Sequence, residues 1–271
     1  MQQIEEKKPI ARKLLLKLLG SRDSIQMNAS AAVRVGALFG ISENNIRVTL
    51  TRLQSAQLIS LVERGYYKLG DKGIRFAKEI HQWRDDESAL VPWQNNWVVA
   101  QTNTLPKSDK KQQRTNERAL KLVGMRKLVS DMYIRPNNFL GGAVEVRDKL
   151  HTLGLSRKAL VFSASDFDSK TQSKAMGLWS HLKLEALYEE GCSEIEKSLA
   201  RLPSLPLEEA TKESYVIGDR ALYHLVFDPL LPSPLVDVTM RERFRNLVKE
   251  YDDIGAQIWH RFLRQNEQDK S

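Results

Sequence analysis

One stretch, Ile46-Arg47-Val48-Thr49-Leu50-Thr51-Arg52-Leu53, followed at once by two short apolar runs around Gly65, constrains the fold more than any other segment. Ile46, Leu50 and Leu53 recur at helical spacing and predict one buried stripe. At about 100° per residue the opposite side carries Asn44, Val48, Thr51 and Ser55, flanked by Arg47 and Arg52. Ser42 suits the N-cap of this helix, and Gly40 stops the helix before it, which carries Ala32, Val35, Leu38 and Phe39. Asn28 suits the N-cap of that earlier helix. Ahead of both, Pro9 opens a helix with Ile10, Leu14, Leu15, Leu18 and Leu19 on one stripe.

Leu58-Ile59-Ser60-Leu61-Val62 and Tyr66-Tyr67-Lys68-Leu69 read as two strands joined through Glu63-Arg64-Gly65. Asp71 caps a further helix with Ile74, Phe76, Ala77 and Ile80. Two helices joined by a Gly-containing turn, the second showing Asn, Arg and Thr outward, with a hairpin after it, fit a winged helix-turn-helix over residues 1–84. The chemistry suits DNA. Arg pairs bidentately with guanine and Asn with adenine, while cations at a hairpin tip suit phosphates. The candidate DNA-binding residues are Asn44, Asn45, Arg47, Thr51, Arg52, Arg64, Tyr67 and Lys68. Arg52 is the expected base reader, and Arg64 and Lys68 the expected phosphate contacts. Tyr66 and Tyr67 alternate across the strand, so one of them is expected in the core. The bland alternative is a small helical domain that binds protein, with Arg47 and Arg52 as solvated surface charges.

Charge distribution agrees with a polyanionic partner. Residues 1–84 hold 15 Lys/Arg against 7 Asp/Glu, whereas residues 176–271 hold 12 against 17. With 41% hydrophobic and 28% charged residues, the 271-residue chain has globular composition. Its apolar runs are only a few residues long, so no membrane span or secretory core is expected and the chain reads as soluble and cytoplasmic. The single cysteine, Cys192, excludes an intrachain disulfide and a cysteine zinc cluster. It lies on the apolar stripe of Leu184, Leu187, Tyr188, Ile195 and Leu199 and reads as a small buried hydrophobe.

Beyond a polar linker at residues 85–92, the pattern is strand (Trp97–Ala100), helix (Ala119, Leu120, Val123), strand (Val129–Ile134), helix (Val144, Val146, Leu150) and a short buried strand, Leu160-Val161-Phe162. This predicts a ferredoxin-like α+β unit over residues 93–170. Residues 171–271 read as a helical carboxyl-terminal domain for dimerisation or ligand closure, interrupted at Asp228-Pro229-Leu230-Leu231-Pro232-Ser233-Pro234. The fold class is thus α+β multidomain. No phosphate-binding glycine loop or nucleophile elbow occurs, and the five histidines are scattered, so no enzyme and no cofactor or metal is expected. Asp166 and Asp168 read as loop and cap residues. They are also the only support for an alternative, a metal-dependent nuclease built on the middle unit.

Taken together, the Ile46–Leu53 helix, Trp97-Val98-Val99, Tyr133-Ile134-Arg135-Pro136 and Asp228-Pro229-Leu230-Leu231-Pro232 resemble the PaaX-type transcriptional repressors of phenylacetate catabolism. The resemblance covers nearly the whole chain. It implies a homodimeric repressor on a palindromic operator, released by an acyl-CoA thioester such as phenylacetyl-CoA. It also implies a middle domain similar to the small CRISPR-associated nucleases. Val99-Ala100-Gln101-Thr102 has no carboxylate where those nucleases support a metal, so nuclease activity is not carried over. Within this expectation Arg114, Arg118 and Arg135 are the candidate effector-binding cations.

Overall fold

The computed structural model describes residues 9–20, 26–62, 65–74, 77, 89–103 and 108–264. Among the described residues the chain is mixed α and β, with two small antiparallel sheets. It forms two compact units, Met1–Gln82 with Ser198–Val216 and Tyr251–Ser271, and Trp83–Lys197 with Ile217–Glu250.

The first unit begins with α1 (Ala11–Leu19), β1 (Met27–Asn28), α2 (Ala29–Leu38), α3 (Glu43–Ser55), β2 (Ile59–Val62) and β3 (Tyr66–Leu69). Asn28 accepts a 2.8 Å bond from the Ala31 amide and so caps α2. The sheet order is β1-β3-β2, with Met27 opposite Tyr67 and Ser60 opposite Lys68. Leu14, Leu15, Val35, Ile46, Leu50, Leu53 and Ile59 form its core, with relative exposures of 3% or less. Residues 71–74 are helical as expected from Asp71, while Phe76, Ile80 and the linker acids 85–87 lie outside the described residues.

The second unit contains β4 (Trp97–Gln101), α4 (Lys110–Leu122), β5 (Arg126–Val129), β6 (Met132–Pro136), α5 (Gly142–Thr152) and β7 (Leu160–Ala164), followed by α6 (Ser169–Met176). Its sheet runs β5-β6-β4-β7, every pair antiparallel. Val98, Ala100 and Val161 pack against Ala119 and Leu120 of α4 and Val146 and Leu150 of α5. Trp97 stacks on Phe167 and Trp179 at 6.3 and 6.2 Å and meets Trp93 edge-on at 5.0 Å.

Three sequence expectations change here. The single strand at Val129–Ile134 is a hairpin, β5 to β6, because Asp131 takes φ 58° and turns the chain. The short strand Leu160-Val161-Phe162 is not buried. It is an edge strand, with Leu160 56% and Phe162 43% exposed while Val161 faces the helices. The boundaries at 84/93 and 170/171 also differ from the compact units. The helices α7 (His181–Arg201), α8 (Leu207–Val226) and α9 (Val238–Arg264) are long enough to serve two cores. Tyr215, Trp259 and Phe262 join the first unit's core, whereas Tyr188 and Phe244 stack at 5.8 Å in the second. Helical periodicity identifies each helix but not which core each end packs on.

Candidate nucleic-acid interface

Close helix packing sets the pose of α3. A Cβ on Gly36 of α2 would stand 2.5 Å from Cγ1 of Ile46, so only glycine lets the two helices approach this far. Gly40, at φ 64°, ends α2, and Ser42 caps α3 by accepting from the Asn45 amide at 3.4 Å. With Ile46, Leu50 and Leu53 buried, Asn44, Asn45, Arg47, Thr51, Arg52 and Ser55 all lie exposed.

These side chains fall on two flanks. On one, Arg47 Nε donates to Glu43 at 2.7 Å in an exposed pair, and the Thr51 hydroxyl donates to the Arg47 carbonyl at 3.2 Å. The threonine is thereby left with acceptor capacity toward a partner. On the other flank Asn45, Thr49 and Arg52 line an open groove of about 710 Å³ with Pro9, Ile10 and Arg12 at the start of α1. Arg12 was not singled out from the sequence. Its signal is only its place just after the helix-opening proline, and among the described residues it is one of two cations in this groove.

Lys68 is exposed on β3. Tyr67 is half-buried and packs against the first unit's core, so it is the core member of the tyrosine pair. Arg64 lies outside the described residues.

The expected effector cations separate. Arg114 and Arg118 lie exposed one turn apart on α4, which Asp109 caps through a 2.9 Å bond from the Gln112 amide. Arg135 must be corrected. It is 1% exposed, donates to the carbonyls of Pro136 and Val123 and to Asn138 Oδ1, and stacks 3.9 Å over Phe139. Its guanidinium is therefore committed to holding the fold and is not available to a ligand phosphate.

Arg135 belongs to a buried polar network that the sequence did not announce. Asn138 Nδ2 donates to the Leu230 carbonyl at 2.8 Å. Asp228 accepts from the Leu230 amide at 2.7 Å and from the Tyr188 hydroxyl at 2.8 Å. Arg241, 3% exposed, donates to the Leu231 carbonyl. Burial pushes the Asp228 carboxyl up, against the pull of these donors and of Arg241 and Arg245. Gly124, at φ 74°, sits so close that a Cβ would stand 2.7 Å from Cα of Pro229. The Asp-Pro-Leu-Leu-Pro turn is thus a pinned internal feature.

The two candidate carboxylates serve locally. Asp168 caps α6, accepting from the Thr171 amide and hydroxyl at 2.9 and 2.6 Å, and these bonds hold its carboxyl low. Asp166 accepts from the Ser165 hydroxyl at 2.7 Å. Among the described residues no group of three His, Cys, Asp or Glu side chains is placed to hold a metal, and no helix is long and apolar enough to cross a membrane. Cys192 is buried, and burial raises its thiol.

No family model matches the chain, and no curated protein matches it. Among solved structures the chain is similar to the uncharacterized protein Rv0674 from Mycobacterium tuberculosis. The identity is 17% and the TM-score 0.64, over 93% of this chain and 98% of that one. At that identity the likeness is one of fold.

Proposed function

We propose that the protein is a sequence-specific DNA-binding repressor of the PaaX type, whose first unit is a winged helix and whose β4–β7 region is a ferredoxin-like domain. The observation that carries this reading is the exposed Asn, Arg and Thr face of α3, held beside a hairpin with Lys68 exposed on its second strand. The order α1-β1-α2-α3-β2-β3, with β3 central in its sheet, supports the winged helix. The run β-α-β-β-α-β and the sheet order β5-β6-β4-β7 support the ferredoxin-like domain.

In this reading α3 enters a major groove and the hairpin lies along the backbone. Two copies then read the half-sites of a palindromic operator on cytoplasmic DNA. An acyl-CoA thioester, phenylacetyl-CoA by resemblance, releases the operator by binding the DNA-free state better. Its phosphates would meet Arg114 and Arg118, whose exposure on one face of α4 suits a polyanion.

The test is selection of fragmented genomic DNA by the pure protein, with sequencing of what is retained. A few reproducible fragments sharing an inverted repeat are expected. Retention of no DNA, or of all DNA equally, would contradict the reading.

A further inference from the structure

Val48 stands at the centre of the outward ridge of α3. At about 100° per residue it lies about 170° from the middle of the buried Ile46, Leu50 and Leu53 stripe, further round than Arg47 or Arg52. It is 38% exposed, and no other large apolar side chain of α3 is exposed. Helix formation does not explain a valine there. A β-branched residue costs helix stability, and alanine, lysine or glutamate would serve an exposed helical position better. The ridge around Val48 is short of hydroxyl donors. Thr51 and Ser55, one and two turns on, donate to the carbonyls of Arg47 and Thr51 at 3.2 and 3.0 Å. On the flanks, the Thr49 hydroxyl donates to Asn45 Oδ1 at 3.3 Å and Arg47 Nε donates to Glu43 at 2.7 Å. What α3 offers along its outermost line is therefore the isopropyl group of Val48, with Asn44 one turn before it and Arg52 one turn after, both exposed.

The base edges of the major groove present hydrogen-bond donors and acceptors, with one apolar group among them, the 5-methyl of thymine. We infer that Val48 packs on the 5-methyl group of a thymine in each half-site and so selects a T·A pair at the centre of the α3 contact. Methyl against isopropyl removes apolar surface of both from water. A purine edge in the same place would set its polar atoms against the isopropyl group and strip their hydration without a partner. Charge suits a duplex as the occupant of this face, since Arg12, Arg52 and Lys68 are all exposed. The inference rests on the DNA-binding reading proposed above and adds to it the base that the helix selects at its outermost point.

The test is equilibrium binding of the full chain to a fragment recovered by genomic selection, with thymines of its inverted repeat exchanged for deoxyuridine, one symmetry-related pair at a time. Deoxyuridine keeps every hydrogen-bonding group of thymine and lacks only the methyl. At one such pair the wild type is expected to lose about fourfold in affinity per half-site, the worth of one buried methyl group. Val48→Ser is expected to bind the thymine fragment several-fold more weakly, and to bind the thymine and deoxyuridine fragments alike at that pair. Val48→Ala, a better helix former, serves where urea unfolding shows the serine variant to be destabilised, and should likewise lose most of the methyl effect. A wild type indifferent to deoxyuridine at every position would overturn the methyl contact and leave DNA binding standing. A methyl effect as large in both variants as in the wild type would assign the contact to another side chain and overturn the role of Val48. A protein that selects no fragment would overturn the inference together with the reading it rests on.

Discussion

The hydroxyl of Tyr188 donates a 2.8 Å hydrogen bond to the carboxylate of Asp228, forty positions along the chain, and both groups are buried. Tyr188 leaves α7 and Asp228 opens the Asp-Pro-Leu-Leu-Pro turn, so this bond ties that turn to a helix. Removing only the hydroxyl in Tyr188→Phe leaves a buried acceptor short of a donor. The expected loss is about 1–3 kcal/mol of stability, read as a fall in urea midpoint at unchanged slope. A change within a few tenths would show that the bond holds nothing.

The pH dependence of Asp228 follows from its burial, which raises the carboxyl above its ordinary value of 3.8. Between that value and the higher folded-state value, the folded chain keeps a proton that the unfolded chain has released. Stability from this group is therefore fully present below the unfolded value and declines as pH rises through the window. Asp228→Asn does not titrate, so the variant should gain on the wild type as pH is raised from acid toward neutral. Urea midpoints in a pH series would show it, and a gap that widens in the wild type's favour would contradict it.

Arg135 is expected to matter for stability and not for ligand response. Arg135→Met strands the Val123 and Pro136 carbonyls and Asn138 Oδ1. The expected cost is about 3 kcal/mol, measured by thermal or urea unfolding. A variant of wild-type stability that has lost a thioester response would return Arg135 to the effector side.

Arg118 is the sharper effector test, since it is exposed on α4. Arg118→Ala should keep operator binding while losing release by an aryl- or alkyl-CoA. Release by the free acid, or by no thioester in a panel, would remove the acyl-CoA part of the account and leave DNA binding untouched.

In the proposed DNA-binding reading, Arg12 and Arg52, which line one groove, are expected to take two different roles. Arg12→Ala and Lys68→Ala should each lower the salt slope of log K by about 1, equally on operator and random DNA, as phosphate contacts do. Arg52→Ala should cost about 1–3 kcal/mol more on the operator than on random DNA. Equal losses for Arg52 would make it a second backbone contact beside Arg12.

What was legible in the sequence was local. Ile46, Leu50 and Leu53 announce α3 by spacing alone, and Ser42 and Asn28 announce its neighbourhood by capping chemistry. Cys192 on an apolar stripe announces its burial. Non-local features were not legible. The β5–β6 turn hides in a run that reads as one strand until Asp131 adopts φ 58°. Arg135 looks like any strand-end cation until Phe139, Asn138 and Val123 close around it. The strand β7 reads as buried from its apolar letters, and only its place at the sheet edge exposes Leu160 and Phe162.

The central claim, that the α3 face reads DNA, meets its most direct test in an equilibrium titration of the pure protein. The titration uses a selected genomic fragment and random DNA of equal length, from about 50 to 200 mM salt. The account predicts binding to the fragment tighter by about 10³-fold or more, with log K falling linearly against log salt on both. Equal affinity for both DNAs, or no salt-sensitive association with either, would contradict it.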